Sequence, residues 1–475
     1  MKGEIVEMER LIKVGKIIPK HSTQVKESRI GIGFEKLDRD VFDPNKAYDK
    51  VGELGVKWVR IQSGWERTEK VKGQYDFTWL DDIVDNLISR GLRPWMCVCY
   101  GHGLYDERAA KVFGSVGCPP IHTQEQRDAW IRYVKTLTAH YQGRINYYEV
   151  WNEPDGLHCW KHGVSAEEYG EFVAETAKAI KEVDKDAKVV GGAYARLNVH
   201  YVDTSLSKMA PYIDAVSFHE YTADEQKVFG KVKAIRALCN IYNPDLKIIQ
   251  GESGSQSRSG GAGALKDGAW TPRKQAKQLL RHSLVDLMSE VEFMSYFSCM
   301  DMIEALRGDR SVKSTYLDYG YFGVLGAEFD ENGFSIGEYA PKPSYYALQN
   351  LASMFAEEVK TVELPVLFKK EASLRVFGSD VGENDITFGG FRKPNGSTAM
   401  FFWVPTDLMT TEFESTFTLQ VAGLGNEVKL VDPMDGSVYK LPENMVETSE
   451  EGHMILKNVP IKDYPMALVF GDYLI

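Results

Sequence analysis

The chain has 475 residues, 43% hydrophobic and 26% charged, with a formal charge of −12. It exceeds the roughly 100–200 residues of one average domain, and its acidic balance, spread without long blocks, excludes phosphate-backbone binding, which needs clustered Lys and Arg. No nucleic-acid partner is expected, and no membrane partner either, because no stretch approaches the roughly 18 apolar residues of a membrane span.

The first alternating segment, E-I-V-E-M-E-R-L-I-K-V (4–14), reads as strand and is assigned to an N-terminal segment, residues 1–28, that joins a later β domain. From residue 29 to 356, eight short apolar runs alternate with helical windows. The runs are R-I-G-I-G-F (29–34), V-K-W-V-R-I-Q (56–62), R-P-W-M-C-V-C-Y (93–100), N-Y-Y-E-V-W (146–151), K-V-V-G-G-A (188–193), A-V-S-F-H-E-Y (215–221), K-I-I-Q-G-E (247–252) and F-M-S-Y-F-S-C (293–299). Between them, apolar stripes at i, i+3/i+4 and i+7 mark helices: Leu80, Ile83, Val84, Leu87 and Ile88, stopped by Gly91; Trp130, Tyr133, Val134, Leu137 and Tyr141; Tyr169, Phe172, Val173, Thr176, Ile180 and Val183; Leu279, Leu280, Leu284 and Leu287. Strand–helix alternation implies parallel strands with right-handed crossovers, and eight repeats predict an α/β fold closed as a (β/α)8 TIM barrel. An open dinucleotide-binding sheet is disfavoured, since Gly31 and Gly33 lie within the first run and no third glycine completes G-x-G-x-x-G. Residues 357–475 change character. Seven alternating runs, from A-S-L-R-V-F (372–377) to M-A-L-V-F (466–470), are separated by turn signals such as Pro394-Asn395-Gly396 and Asp435-Gly436 and predict a C-terminal accessory β-sandwich.

Active sites of (β/α)8 enzymes lie at the C-terminal ends of the strands, so the residues that end each run matter most. The fourth run leads into Trp151-Asn152-Glu153-Pro154, the sixth ends in His219-Glu220-Tyr221, the seventh in Gly251-Glu252-Ser253-Gly254, and Arg60 lies near the exit of the second. Asn152-Glu153-Pro154 after strand four, with Glu252 ending strand seven, resembles the signature of clan A glycoside hydrolases. Within that clan the chain is most similar to glycoside hydrolase family 39, on the W-N-E-P turn, the A-V-S-F-H-E-Y strand and the accessory sandwich.

The resemblance implies a retaining hydrolase that cleaves an equatorial β-glycosidic bond by double displacement, a β-xylosidase-like exo-enzyme acting on an oligosaccharide, polysaccharide or simple glycoside. Glu153 is then the general acid/base and Glu252 the nucleophile, meeting across the barrel mouth at the roughly 5–5.5 Å that retention requires. Asn152 is implied to bind the sugar 2-hydroxyl, Arg60 to orient Glu252, and His219 and Tyr221 to line the site. His102 and Tyr105, in the loop after strand three, offer groups suited to sugar hydroxyls, and Trp65 and Trp160 offer stacking faces for a sugar's apolar C–H surface. Many clan members present a tryptophan on strand eight beneath the reacting sugar; here Phe297-Ser298-Cys299 stands instead. An endo-acting β-glycanase or a transglycosylase on the same barrel, or a non-catalytic carbohydrate-binding barrel, are the alternatives.

No metal or cofactor is expected. His158 and His162 have metal-like i, i+4 spacing but lack an H-E-x-x-H glutamate and read as part of a substrate-side loop. The glycine- and serine-rich stretch 254–264 lacks the Gly-Lys-Ser/Thr ending of a phosphate loop and reads as a rim or lid loop. The six cysteines lack paired spacing, which speaks against a disulfide scaffold or zinc ribbon. The first residues contain no apolar leader core, so a cytoplasmic location is expected unless a leader has been removed.

Overall fold

The computed structural model describes residues 11–369, 375–376, 379–380, 385–425, 427–449 and 453–474. Its centre is a closed barrel of eight parallel strands: β1 (Ile30–Gly33), β2 (Trp58–Gln62), β3 (Arg93–Val98), β4 (Tyr147–Val150), β5 (Lys188–Tyr194), β6 (Ala215–Glu220), β7 (Lys247–Ser253) and β8 (Met294–Tyr296). Closure is made by β1 pairing with β8, Ile30 opposite Met294 and Ile32 opposite Tyr296.

Local chemistry sets the helices that return the chain between strands. Thr123, Ser165 and Thr271 each cap a helix by accepting from a backbone N–H three residues on, satisfying donors that the first turn leaves open. In helix Thr78–Ser89 the predicted stripe buries Leu80, Ile83, Val84 and Leu87, while Ile88 faces outward. Gly91 follows with φ +84°, the left-handed stop that favours glycine. Helix Pro272–Met288 departs from the amphipathic expectation, since every residue from Gln275 to Leu287 is buried. Its outer face is covered by the second domain: Lys277 pairs with Asp463 at 2.6 Å and Arg281 donates to the Thr406 carbonyl.

That second domain is two facing antiparallel sheets. A seven-stranded sheet runs, in order, Ile12–Lys16, Ser437–Lys440, Val428–Asp432, Met466–Phe470, Thr398–Trp403, Thr387–Arg392 and Lys360–Val362. A four-stranded sheet holds Val366–Lys369, Glu414–Val421, Met454–Lys462 and Val446–Thr448. Phe402 and Phe417 meet across the interior at 5.0 Å between ring centres. The N-terminal strand pairs with Ser437–Lys440 at the sheet's edge. Residues 4–10 of the predicted head strand, and most of the 372–377 run, lie outside the described residues.

The connection after β8 carries a feature that apolar periodicity does not show. Residues 297–342 intervene before helix Pro343–Met354, including a hairpin of Leu325–Phe329 with Ser335–Pro341. They fold over the C-terminal mouth of the barrel and wall one side of its cavity.

Candidate active site

A cavity of about 870 Å³ opens at the C-terminal ends of the strands. Asn152, Glu153, Tyr221 and Glu252 line it together with Glu35, Lys36, Gln62, Tyr100, His158, Phe297 and Glu304. One carboxylate oxygen of Glu153, one of Glu252 and a ring nitrogen of His219 all lie within 4.8 Å of one another.

Backbone irregularities aim these groups. Trp151 and Glu153 both adopt positive φ, +72° and +46°, a conformation that costs non-glycine residues of order 1 kcal/mol each. The turn is fixed by Trp151 Nε1 donating to the Cys159 carbonyl at 2.7 Å and by the Glu153 N–H donating to the Ala193 carbonyl at 3.1 Å. On β7 an extra residue, Gly251, intervenes between Gln250, opposite Phe218, and Glu252, opposite His219. Such a bulge re-aims the following side chain. A Cβ at Gly251 would lie 3.0 Å from His219 Nε2, so glycine leaves room for that ring beside Glu252.

Arg60, wholly buried on β2, organises the floor. Its Nη1 donates to Glu252 at 2.5 Å, its Nε and Nη2 to Glu149, and its Nη2 also to Asn152 Oδ1 at 2.9 Å. Glu149 is further held by the Ser217 hydroxyl at 2.5 Å. The second oxygen of Glu252 accepts from the Tyr221 hydroxyl at 2.7 Å. Burial and the neighbouring carboxylates push that phenol well above its ordinary value, so it stays a donor. His219 Nδ1 lies 3.1 Å from Glu153 and 3.6 Å from Glu252. Burial opposes its charge, yet the Glu252 carboxylate and the Glu153 hydrogen bond outweigh it and raise its pKa. Glu153 bridges two imidazoles, His219 at Oε1 and His158 at Oε2. Burial favours its neutral form, but the two histidines overcome this and hold its carboxyl below the usual range.

The structure thus brings Glu153, Glu252, Arg60, Asn152, His219 and Tyr221 together. It corrects four other assignments. Trp65, expected as a stacking face, is buried between Tyr105 and Tyr133 with ring centres 5.5 and 5.4 Å away, and its Nε1 donates to Glu69. His102 Nε2 is satisfied by the Glu69 carbonyl at 2.7 Å, and the Tyr105 hydroxyl donates to the Glu69 carboxylate. Trp160 is wholly buried against Trp151, Tyr169 and Phe172. None of these four lines the cavity; aromatic bulk at these positions supports the W-N-E-P turn and the β2 exit from behind. Besides Tyr100 and Tyr221, Phe297 and Phe322 give the cavity aromatic surface, 5.5 Å apart, with Lys36 Nζ 4.8 Å above the Phe297 ring. The 254–264 stretch contributes Ala262, Gly263 and Ala264 to the rim.

Other residues of the site carry a weaker signal in the sequence. Glu35 directly follows the first apolar run, so the same attention to strand ends that found Glu153 and Glu252 points to it. Glu149 is a charge inside an apolar strand. Lys36 and Glu304 form an ion pair at 3.5 Å between the β1 and β8 loops, with no local signal in the sequence.

Among the described residues, two groups bring possible metal ligands within 4.8 Å: Glu153, His158 and Cys159, and Glu153, His219 and Glu252. In both, the carboxylate oxygens already face imidazole, guanidinium or phenol donors. Burial lifts the Cys159 thiol to about 12, which disfavours the thiolate a metal would need.

Glu35 yields a pH prediction. Its Oε1 accepts from Arg60 Nη1 at 3.3 Å and its buried Oε2 has no partner. Burial, then the nearby Glu252 charge, raise it to about 8 despite Arg60. A folded-state value above the unfolded one stabilises the fold fully below about pH 4.5, and that contribution is lost as pH rises toward 8. Glu35→Gln, which mimics the neutral acid, should therefore weaken the dependence of stability on alkaline pH, by ~2–3 kcal/mol between pH 6 and 9. Urea denaturation at both pH values measures it; equal losses in wild type and variant would contradict the assignment.

Residues 43–238 match the family model for glycosyl hydrolases family 39. Glu153 lies inside that stretch and Glu252 beyond it. A β-xylosidase of Geobacillus stearothermophilus is 30% identical over 222 residues, 42% of this chain and 43% of that protein. The alignment therefore spans less than half the length of this curated relative. Among solved structures, a family 39 glycoside hydrolase from the gut symbiont Bacteroides cellulosilyticus WH2 superposes with a TM-score of 0.65 at 16% identity, over 96% of this chain and 83% of that one. A monomeric β-xylosidase from Caulobacter crescentus CB15 does so with a TM-score of 0.59 at 17% identity, over 97% of each chain. At such identities the superpositions speak for the fold. Residues 43–238 are thus similar in sequence to the glycosyl hydrolases of family 39, and the chain shares the fold of a family 39 structure over nearly its whole length.

Proposed function

We propose that the chain is a retaining β-glycosidase of the β-xylosidase type, acting at the end of a glycoside or short oligosaccharide. The observation that carries this reading is the approach of the Glu153 and Glu252 carboxylates within 4.8 Å. Retaining enzymes hold their two carboxyl groups about 5–5.5 Å apart, whereas inverting enzymes keep about 6.5–9.5 Å to admit a water. Glu252, gripped by Arg60 and Tyr221, attacks the anomeric carbon as a carboxylate. Glu153 protonates the departing oxygen, then takes a proton from the water that releases the sugar from Glu252. Asn152 lines the cavity beside them, its carbonyl oxygen held by Arg60 and its amide nitrogen donating to the Cys159 sulfur at 3.6 Å. Phe297 and Phe322 offer apolar faces, and a cavity of about 870 Å³ falls within the range that encloses a small ligand.

The test is a panel of nitrophenyl β-glycosides, β-xyloside included, with NMR of the first-formed sugar anomer. Turnover with the β-anomer appearing first is expected. An α-anomer first, or sugar binding without turnover across the panel, would overturn the reading.

A further inference from the structure

The mechanism asks Glu153 to carry a proton in the first step, yet its surroundings favour the carboxylate. Two imidazoles touch the oxygens of that carboxylate and offer the proton another place. His158 Nε2 contacts Glu153 Oε2 directly. This ring differs from the other imidazole on Glu153. His219 is sealed in, its Nε2 buried without a partner, whereas the His158 side chain is 16% exposed and lines the cavity.

The chain is shaped to hold His158 there. A Cβ on Gly156 would fall 2.3 Å from His158 Cε1 and 2.6 Å from Nδ1, so only glycine leaves the ring its place. The N–H groups of Cys159 and Trp160 both donate to the Gly156 carbonyl, and Lys161 Nζ donates to the His158 carbonyl at 2.6 Å. Glu153 faces the ring, the neutral Cys159 thiol and Lys161 follow it in the chain, and Arg39, Arg196, Glu304 and Arg307 are among the charged groups lining the same cavity.

We propose that His158 is a positioning residue for the acid/base, sharing one proton with Glu153 between Nε2 and Oε2 and returning it to the carboxyl as the glycosidic bond breaks. This rests on the reading of Glu153 given above. In the first step the bond from C1 to the leaving oxygen breaks, the bond from C1 to Glu252 forms, and the shared proton passes through Glu153 to the leaving oxygen. In the second step water attacks C1, the bond to Glu252 breaks, and the water's proton returns to the Glu153–His158 pair. One proton leaves the pair and one re-enters, so the cycle balances. His162, four residues on, takes no part and faces Asp106 and His122 instead.

The test compares wild type with His158→Gln, which keeps a polar group but cannot hold the proton, on aryl β-glycosides of rising leaving-group pKa. On an activated dinitrophenyl glycoside, kcat/KM should stay within about 3-fold. On poor leaving groups it should fall about 10-fold or more, a fraction of the 10²–10⁴ that general acid catalysis supplies, and the alkaline limb of its pH profile should move. His158→Ala with imidazole added to the buffer is the second arm, and partial recovery on the poor leaving groups alone is expected. A uniform loss across all leaving groups with an unmoved pH profile, or no imidazole recovery, would overturn the proposal. Glu153→Ala in the same series separates the two ideas: if it shows leaving-group dependence and the His158 variants do not, the shared proton is wrong while the acid role stands. If neither shows it, the acid role itself falls.

Discussion

Glu252→Gln should abolish turnover on every glycoside, whatever its leaving group, with kcat down ~10⁴-fold or more. The amide has nearly the same shape, so the Tyr221 contact and the β7 bulge that places residue 252 opposite His219 survive. What is lost is the negative charge that bonds to the anomeric carbon. Folding should change little, because Arg60 keeps Glu149 on two of its nitrogens and Glu35 on a third. Losing one partner of a buried ion pair is severe when the remaining charge is left alone, and here it is not. Stopped assays on good and poor leaving groups, with thermal melts beside them, make the comparison. A variant that folds like wild type yet retains turnover on activated glycosides would place the nucleophile elsewhere. Glu35 would then be the next carboxyl to examine, since it shares Arg60 Nη1 with Glu252.

The contrast between Glu252 and Glu35 shows what a sequence of this type discloses. Barrel closure follows from eight runs separated by helical stripes, because strand and helix periods are written residue by residue. Glu153 and Glu252 are legible because a rule of the fold says where chemistry sits and both end a strand. His219 and Tyr221 follow the same rule, whereas Arg60 sits in the middle of its strand. The tryptophans do not, because an aromatic ring near the barrel mouth serves equally to stack on a sugar or to brace the loop that does. Trp65 and Trp160 brace, and only the depth of each ring tells the two uses apart. Helix Pro272–Met288 looked amphipathic since its outer polar residues, Lys277 and Arg281 among them, give no sign that Asp463 and the Thr406 carbonyl lie opposite. The long connection after β8 hides its contribution for a similar reason: Phe322 and Glu304 reach the cavity through the path of a loop, which apolar periodicity does not encode.

Glu153→Ala should produce a different defect from Glu252→Gln, and the difference carries the assignment of roles. With the carboxyl gone, nothing protonates the leaving oxygen. A dinitrophenolate departs unaided, so kcat/KM for such a substrate should change by less than ~10-fold, whereas phenyl or alkyl glycosides should lose ~10²–10⁴-fold. The glycosyl-enzyme on Glu252 should then accumulate, since no base remains to activate water. Azide needs no base. It is small, already charged, and the face it must approach is the one the Glu153 carboxylate has vacated, within 4.8 Å of Glu252. Added azide should raise kcat on the activated substrate and give the β-glycosyl azide, the configuration set by attack opposite Glu252. His219 loses one of the two carboxylates that raise its pKa against burial and Arg60, so its pKa should fall in this variant. Equal losses on good and poor leaving groups in a folded, substrate-binding variant, with no azide product, would remove Glu153 from the acid/base role. An α-glycosyl azide would instead mean that the two carboxylates had been assigned the wrong way round.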